Sequence, residues 1–100
     1  VAMEQIYFSK NSKTALSIGQ ARGVIMLTTS LAGIKIFDYT PLEVKQAIVG
    51  YGRAEKKQIQ HMLKDLLHLV QIPYPADAAD ALAVALCHYY SRKLRKYQEL

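Results

Sequence analysis

The sequence contains one cysteine, Cys87, so an internal disulfide is impossible. A lone cysteine fits a reducing cytoplasm, and we expect Cys87 to be a small buried hydrophobic residue. No apolar run is long enough to span a membrane, and the N-terminus lacks the basic and apolar regions of a signal peptide. Internal repeats and low-complexity segments are also missing from the sequence. We therefore expect a cytoplasmic protein that does not act at a membrane.

Negative charge is in short supply, because 13 Lys and Arg residues outnumber 8 Asp and Glu residues and leave a net charge of +5. This excess favours an acidic partner, with nucleic acid ahead of an anionic membrane. Half of the residues are hydrophobic and no segment resembles a linker, so we expect one small domain over residues 1–100. The chain has no initiator methionine and begins inside a predicted strand, so we expect it to be a fragment.

The hydrophobic pattern predicts an α/β chain. Val1–Phe8 and Ile34–Tyr39 are predicted strands, Lys13–Leu31 is the predicted helix between them, and Gly33 is its predicted stop. A strand-helix-strand unit places its two strands in parallel with a right-handed crossover. Because two strands do not form a stable sheet alone, further strands are expected before the first residue.

Three more helices are predicted in the second half of the chain. A capping box that begins at Thr40 starts a short helix ending near Val49. A continuous apolar stripe predicts a helix over Ala54–Val70. The last helix opens at Asp77 and runs toward Tyr97, and its first part is apolar nearly all round, so we expect that part to be largely buried.

Three carboxylates occupy unusual positions. Glu4 lies in the middle of a predicted strand, where a charge is costly unless it is paired or binds a metal. Asp77 and Asp80 are three residues apart at a helix start, so they share a face near the positive end of the helix dipole. Grouped carboxylates suit Mg²⁺, or Mn²⁺ in its place, and paired metals serve phosphodiester hydrolysis. The local pattern alone favours another role, in which Asp77 is an N-cap and Asp80 its partner.

Five segments, which are spread along nearly the whole chain and occur in the family's order, resemble the signature segments of the RuvC Holliday junction resolvases. They are Ala2–Tyr7, Gly19–Gly23, Val44–Gln46, Gly50–Met62 and Asp77–Ala83. The resemblance implies a ribonuclease H-like α/β fold, present here as a truncated part with two parallel strands and about four helices. It also implies a homodimer that nicks four-way DNA junctions in pairs with Mg²⁺ during recombination and repair, together with a branch-migration helicase complex.

The resemblance places Glu4, Asp77 and Asp80 on three of the family's four catalytic carboxylates. The fourth belongs to an Asp-x-Gly motif, which this sequence does not contain. Because loss of one member of a catalytic unit removes most of the rate, we expect these 100 residues not to be a competent nuclease on their own. The alternative from another functional class is a non-catalytic basic module that binds structured DNA or a protein partner, with the carboxylates serving only as caps.

Further positions are implied to contact DNA. Lys45 and Lys56 match family lysines near the scissile phosphate, and Tyr7 matches an aromatic residue that contacts a base. Additional candidates for phosphate contacts are Lys10, Lys13 and Arg53. Without the resemblance, Lys45 and Lys56 are most simply solvated helix residues, and Tyr7 is a core or edge aromatic at even odds.

Small residues mark one face of the first predicted helix, namely Ala15, Gly19 and Gly23. A glycine inside a helix costs about 1 kcal/mol relative to alanine, so two of them indicate close approach of another helix or chain. The resemblance implies that this is the dimer-contact helix. Packing within the chain is an equal alternative, because it also requires small residues.

Overall fold

The computed structural model describes residues 1–5, 12–50 and 55–98. Its elements in chain order are β1 (Ala2–Glu4), α1 (Ser12–Leu31), β2 (Phe37–Tyr39), α2 (Pro41–Val49), α3 (Lys56–Leu66) and α4 (Ala76–Gln98). This order matches the prediction. The two strands pair in parallel, with Ala2 opposite Phe37 and Glu4 opposite Tyr39, as a strand-helix-strand unit requires.

The second strand begins at Phe37, later than the predicted Ile34, because the residues after α1 are used to close that helix. Gly33 adopts a left-handed conformation with φ of 71°. Its amide donates to the carbonyl of Ser30 at 3.1 Å, and the amide of Ile34 donates to the carbonyl of Thr29 at 2.9 Å. This pair of bonds is a Schellman cap, so Gly33 is confirmed as the helix stop.

The start of α2 follows β2 directly, and the predicted capping box is present. The Glu43 amide donates to Thr40 Oγ1 at 3.1 Å, and the Thr40 amide donates to Glu43 Oε1 at 3.1 Å. At the other end Gly50 is left-handed and its amide donates to the carbonyl of Gln46. The helix therefore begins and ends where its sequence predicts.

The third helix ends at Leu66, so the prediction that it continues to Val70 is wrong. His68 has φ of 54°, and the amide of Leu69 donates to the carbonyl of Lys64 at 2.9 Å. These contacts close the helix in the same way as a glycine cap does. Val70 is 98% exposed, so the apolar stripe runs past the helix into a surface connection.

The core lies between β2 and the helices α2, α3 and α4. It consists of Tyr39, Val44, Ile48, Leu63, Ala79, Ala83, Val84 and Cys87. Cys87 is buried, as predicted, whereas Ala81 and Ala85 are exposed. The expectation that the first part of α4 is largely buried is therefore wrong, because only one face of this helix contacts the core.

The first helix leaves large apolar side chains exposed along its length, namely Leu16, Ile18, Val24, Ile25, Met26, Leu27 and Leu31. A Cβ atom added at Gly19 or Gly23 would meet nothing within 4 Å. The described residues therefore supply no closely packed neighbour that would explain these two glycines. Among the helices that the structure describes, none is both long and apolar enough to cross a membrane.

Candidate active site

A cavity of about 310 Å³ opens beside the carboxyl ends of the two strands. It is lined by Glu4, Pro41, Val44, Lys45, Lys56, Ile59, Asp80 and Ala83. Open sheets of parallel strands bind ligands at this end, and helix N-termini favour anions. Here α2, α3 and α4 all contribute residues from their N-terminal halves, so the position suits a negatively charged ligand.

The functional side chains are placed by the core residues beside them. Glu4 is the last residue of β1, where the Gln5 amide donates to the Tyr39 carbonyl at 2.8 Å. Lys45 follows the buried Val44 on α2, and Asp80 follows the buried Ala79 on α4. Because these neighbours are anchored in the core, the charged side chains lie at its edge and line the cavity.

Opposite charges meet around the Glu4 carboxyl group. Burial raises the pKa of Glu4 above its ordinary value, and the negative charge of Asp80 raises the same pKa further. The positive charges of Lys45 and Lys56 lower the pKa of Glu4 and partly offset this effect. Two acids and two lysines therefore interact in one cavity, in which a bound cation would relieve the repulsion between the acids.

The two acids fit a divalent cation. Mg²⁺ prefers hard oxygen ligands and is commonly held by one or two carboxylates, with water or substrate phosphate completing its coordination. Glu4 and Asp80 supply such oxygens in one cavity, and Lys45 and Lys56 line the same cavity. In the part of the chain that the structure describes, no group of three His, Cys, Asp or Glu side chains is placed to hold a metal. The three-carboxylate site therefore stays a prediction.

Asp77 is exposed in the first turn of α4 and does not line the cavity. The helix begins at Ala76, and the amides of Ala78 and Ala79 donate to the carbonyl of Pro75 at 2.9 and 3.4 Å. Asp77 is therefore not the N-cap residue, and the local interpretation of Asp77 as a cap with Asp80 as its partner is wrong. Asp77 lies one turn before Asp80 on the same helix face.

Other predicted positions lie away from this cavity or outside the described residues. Tyr7, Lys10 and Arg53 lie outside the described residues, as does the side chain of Lys13. Ala15, Gly19 and Gly23 lie on α1, which contributes no residue to the cavity.

Arg22 was not predicted to be a functional residue, although it is part of the Gly19–Gly23 segment. Its guanidinium joins α1 to both strands, through the Glu4 carbonyl and the Asp38 carboxylate. The signal that could have identified this contact was the opposite charge of Arg22 in the predicted helix and Asp38 in the predicted second strand. A second missed contact is the 2.6 Å hydrogen bond between the Tyr39 hydroxyl and His88 Nδ1, which links β2 to α4.

The chain matches known proteins along most of its length. The family model described as crossover junction endodeoxyribonuclease RuvC matches residues 1–88. Over 99 residues the chain is 61% identical to the crossover junction endodeoxyribonuclease RuvC of Caldicellulosiruptor saccharolyticus, covering 99% of this chain and 60% of the relative. The protein of the same description from Syntrophomonas wolfei is 56% identical, with 99% of this chain and 58% of the relative covered. The chain thus spans about three fifths of the length of these relatives.

Solved structures show the same architecture. A Thermus thermophilus RuvC structure superposes with a TM-score of 0.82 at 34% identity, covering 91% of this chain and 55% of the other. T. thermophilus RuvC in complex with Holliday junction substrate superposes with a TM-score of 0.85, with the same identity and coverage. The predicted ribonuclease H-like α/β fold is thereby confirmed, with two parallel strands and four helices among the described residues.

Proposed function

Because this chain belongs to the RuvC family of crossover junction endodeoxyribonucleases, we propose that it carries the metal and phosphate site of a Holliday junction resolvase. The observation that supports this most strongly is the cavity in which Glu4 and Asp80 meet Lys45 and Lys56. Carboxylates for a cation and lysines for a phosphate are what hydrolysis of a DNA backbone requires. The reaction is the paired cleavage of a four-way junction in recombination and repair.

Each charged group has a separate task in this proposal. Glu4 and Asp80 would hold Mg²⁺, with Mn²⁺ as a substitute, and Asp77 would join them from the preceding turn of α4. When bound there, such an ion would supply activation of a water molecule and stabilisation of the leaving oxygen. Lys45 and Lys56 bind the phosphate beside the cut, where a compact positive charge offsets the charge that builds up on its oxygens.

Contacts outside the cavity hold the DNA in place. Lys10, Lys13 and Arg53 are proposed to bind neighbouring phosphates, and Tyr7 to stack on a base near the junction centre. The phosphate contacts position the DNA and do not require a particular base sequence. The net charge of +5 supports this role, because positive charge concentrates DNA near the protein.

The proposed active form is a homodimer, because two strands must be cut and each subunit has one site. The exposed apolar side chains of α1 and the open space beside Gly19 and Gly23 support a second chain on this helix.

Cooperation with a branch-migration helicase is proposed from the family. The single cysteine and the DNA substrate fit a cytoplasmic location.

Replacement of one carboxylate tests the site. In the protein at its full natural length, we expect Asp80→Asn to reduce cleavage of a labelled junction at least about 1,000-fold, because a metal ligand is lost. Junction affinity measured by gel shift in Ca²⁺ should change little. Asp65→Asn, an exposed change of the same type on α3, should leave the cleavage rate unchanged. Intact cleavage by Asp80→Asn would contradict the proposal and favour the non-catalytic DNA-binding module.

The 100 residues alone are proposed to bind the junction without cutting it efficiently. The supporting observation is that the sequence contains no Asp-x-Gly motif to supply the family's fourth carboxylate. The test mixes the purified chain with a labelled junction and Mg²⁺ and measures how much of the junction is nicked. Efficient paired nicking would show that this sequence supplies every essential ligand.

A further inference from the structure

Arg22 bridges the two strands at the point where β1 ends. Its Nη1 donates to the backbone carbonyl of Glu4 at 2.9 Å, and its Nη2 donates to Asp38 Oδ1 at 2.5 Å. Asp38 lies in β2 and pairs with Met3, while Glu4 pairs with Tyr39. One guanidinium on α1 therefore contacts both strands on adjacent rungs of their ladder.

The arginine is largely enclosed and its ion pair is partly shielded from solvent. The Arg22 side chain is 17% exposed, and the Asp38 side chain is 37% exposed. The planar guanidinium presents several donors in a fixed fork, so it can bond a carbonyl and a carboxylate at once. A lysine at the same place is a point charge with a flexible stem and cannot reproduce this geometry.

Two hydrogen bonds hold the backbone where β1 ends. The β1 strand spans only Ala2–Glu4, and among the described residues it pairs with one strand of equal length. On one side of the strand end the Gln5 amide is bonded to Tyr39, and Arg22 holds the Glu4 carbonyl itself. These two contacts bond the backbone from which the Glu4 side chain enters the cavity.

We propose that Arg22 is a positioning residue for the metal site, which holds the Glu4 backbone so that the Glu4 carboxylate faces Asp80 across the cavity. Arg22 bonds the main-chain carbonyl of Glu4, so it acts on the carboxylate through the backbone. It does not line the cavity and need not touch the metal or the DNA. This role rests on the proposed function, since it assigns Arg22 to the same Glu4 and Asp80 site.

A double-mutant cycle on Mn²⁺ affinity tests the role without any measurement of cleavage. Isothermal titration calorimetry measures the Mn²⁺ affinity of the protein at its full natural length, with its natural sequence and as Arg22→Gln, Glu4→Gln and the double variant. All titrations are made well below the melting temperature of every variant. Loss of a residue that orients a metal ligand typically weakens affinity roughly 10–100-fold. We expect a loss of this size for Arg22→Gln when Glu4 is present, and a change below about twofold when Glu4 is already Gln.

Two further variants separate positioning from charge and from general destabilisation. Arg22→Lys should restore only part of the affinity, because lysine keeps the charge without the fork. Arg92→Gln removes the same charge from an exposed place on α4 and should leave Mn²⁺ affinity unchanged.

The outcomes distinguish this inference from the function on which it depends. Equal losses from Arg22→Gln in both Glu4 backgrounds, or no loss in either, would overturn the positioning role while Mn²⁺ binding stands. Absence of Mn²⁺ binding in the natural sequence, or binding that ignores Glu4→Gln, would overturn the proposed metal site and the Arg22 role together.

Discussion

A single carboxyl group shows how the site is built. Glu4 is exposed at its strand end, so it is accessible to a ligand, yet its carboxyl group is partly shielded from solvent. The charge of Asp80 disfavours a second negative charge in the cavity, and Lys45 and Lys56 only partly relieve this repulsion. The folded chain therefore raises the pKa of Glu4, and a bound cation would oppose this rise.

The pKa shift of Glu4 predicts a pH-dependent stability. Because the pKa of Glu4 is raised in the folded state, the folded chain binds the Glu4 proton more tightly than the unfolded chain does. Protonation of Glu4 therefore contributes to the free energy of unfolding, and this contribution is lost as pH rises from the ordinary pKa of 4.5 through the raised folded-state pKa. Glu4→Gln mimics the protonated group. Its melting temperature should therefore match that of the natural sequence below this window and exceed it above, when no divalent ion is present.

Thermal melts followed by circular dichroism from about pH 3.5 to about pH 7.5 measure this difference. In an Asp80→Asn background the difference should shrink, because one cause of the raised Glu4 pKa is removed. A constant difference between Glu4→Gln and the natural sequence across this range would contradict the assigned environment of Glu4.

At the scale of elements, local chemistry predicted some boundaries and failed at others. Thr40 and Gly33 were identified correctly because a capping box and a glycine stop act through neighbouring backbone groups. The end of α3 was missed because His68 adopts a left-handed conformation that is uncommon for residues other than glycine. Periodicity alone could not show that Val70 continues the apolar pattern outside the helix.

Only part of the candidate site could be predicted from the sequence. Glu4 and Asp80 were recognised from the family segments, and they do line one cavity. Arg22 was missed because its partners, the Glu4 carbonyl and Asp38, are 18 and 16 residues away. Contacts at such separations depend on how α1 packs across the strands, which periodicity does not encode.

The link between β2 and α4 carries a stability prediction. Tyr39 is 2% exposed and its hydroxyl is hydrogen-bonded to His88 Nδ1 at 2.6 Å, so Tyr39→Phe removes a partly buried hydrogen bond. We expect a loss of about 1–3 kcal/mol in the free energy of unfolding, measured by urea denaturation. Tyr89→Phe is the matched control, because Tyr89 is half exposed, and it should change stability by less than about 0.5 kcal/mol. Equal effects of the two changes would refute the link.

At the scale of the whole molecule, α1 is the element that the described chain leaves uncovered. Its exposed apolar side chains include Leu16, Val24, Leu27 and Leu31, and a Cβ atom added at Gly19 or Gly23 would meet none of the described residues within 4 Å. A lone exposed leucine is ordinary, but a whole helix of exposed apolar side chains favours burial by further polypeptide. A second copy of the protein is the partner that the proposed paired cleavage requires.

Gly23→Ala distinguishes the stability of α1 from the role of this helix in the proposed dimer interface. In dilute monomer the change should stabilise α1 by about 1 kcal/mol, since alanine is the better helix former and nothing within the described chain obstructs a Cβ atom there. The same change should weaken self-association, because the Cβ atom would intrude into the proposed contact with a partner helix. Analytical ultracentrifugation gives the dimer dissociation constant. Ser17→Ala, an exposed change on the same helix, should leave this constant unchanged.

An unaltered dissociation constant in Gly23→Ala would show that this face of α1 is not the dimer contact.

Glu4 and Asp80 are proposed to hold the cation that cleavage of four-way DNA would require. The most direct measurement uses the protein at its full natural length with a four-way junction labelled on each strand in turn, and a linear duplex of the same sequence, each with Mg²⁺ and with EDTA. The account predicts nicks on two opposing strands of the junction in Mg²⁺ alone, with the linear duplex left intact. Cleavage that persists in EDTA, or that occurs equally on the linear duplex, would contradict it.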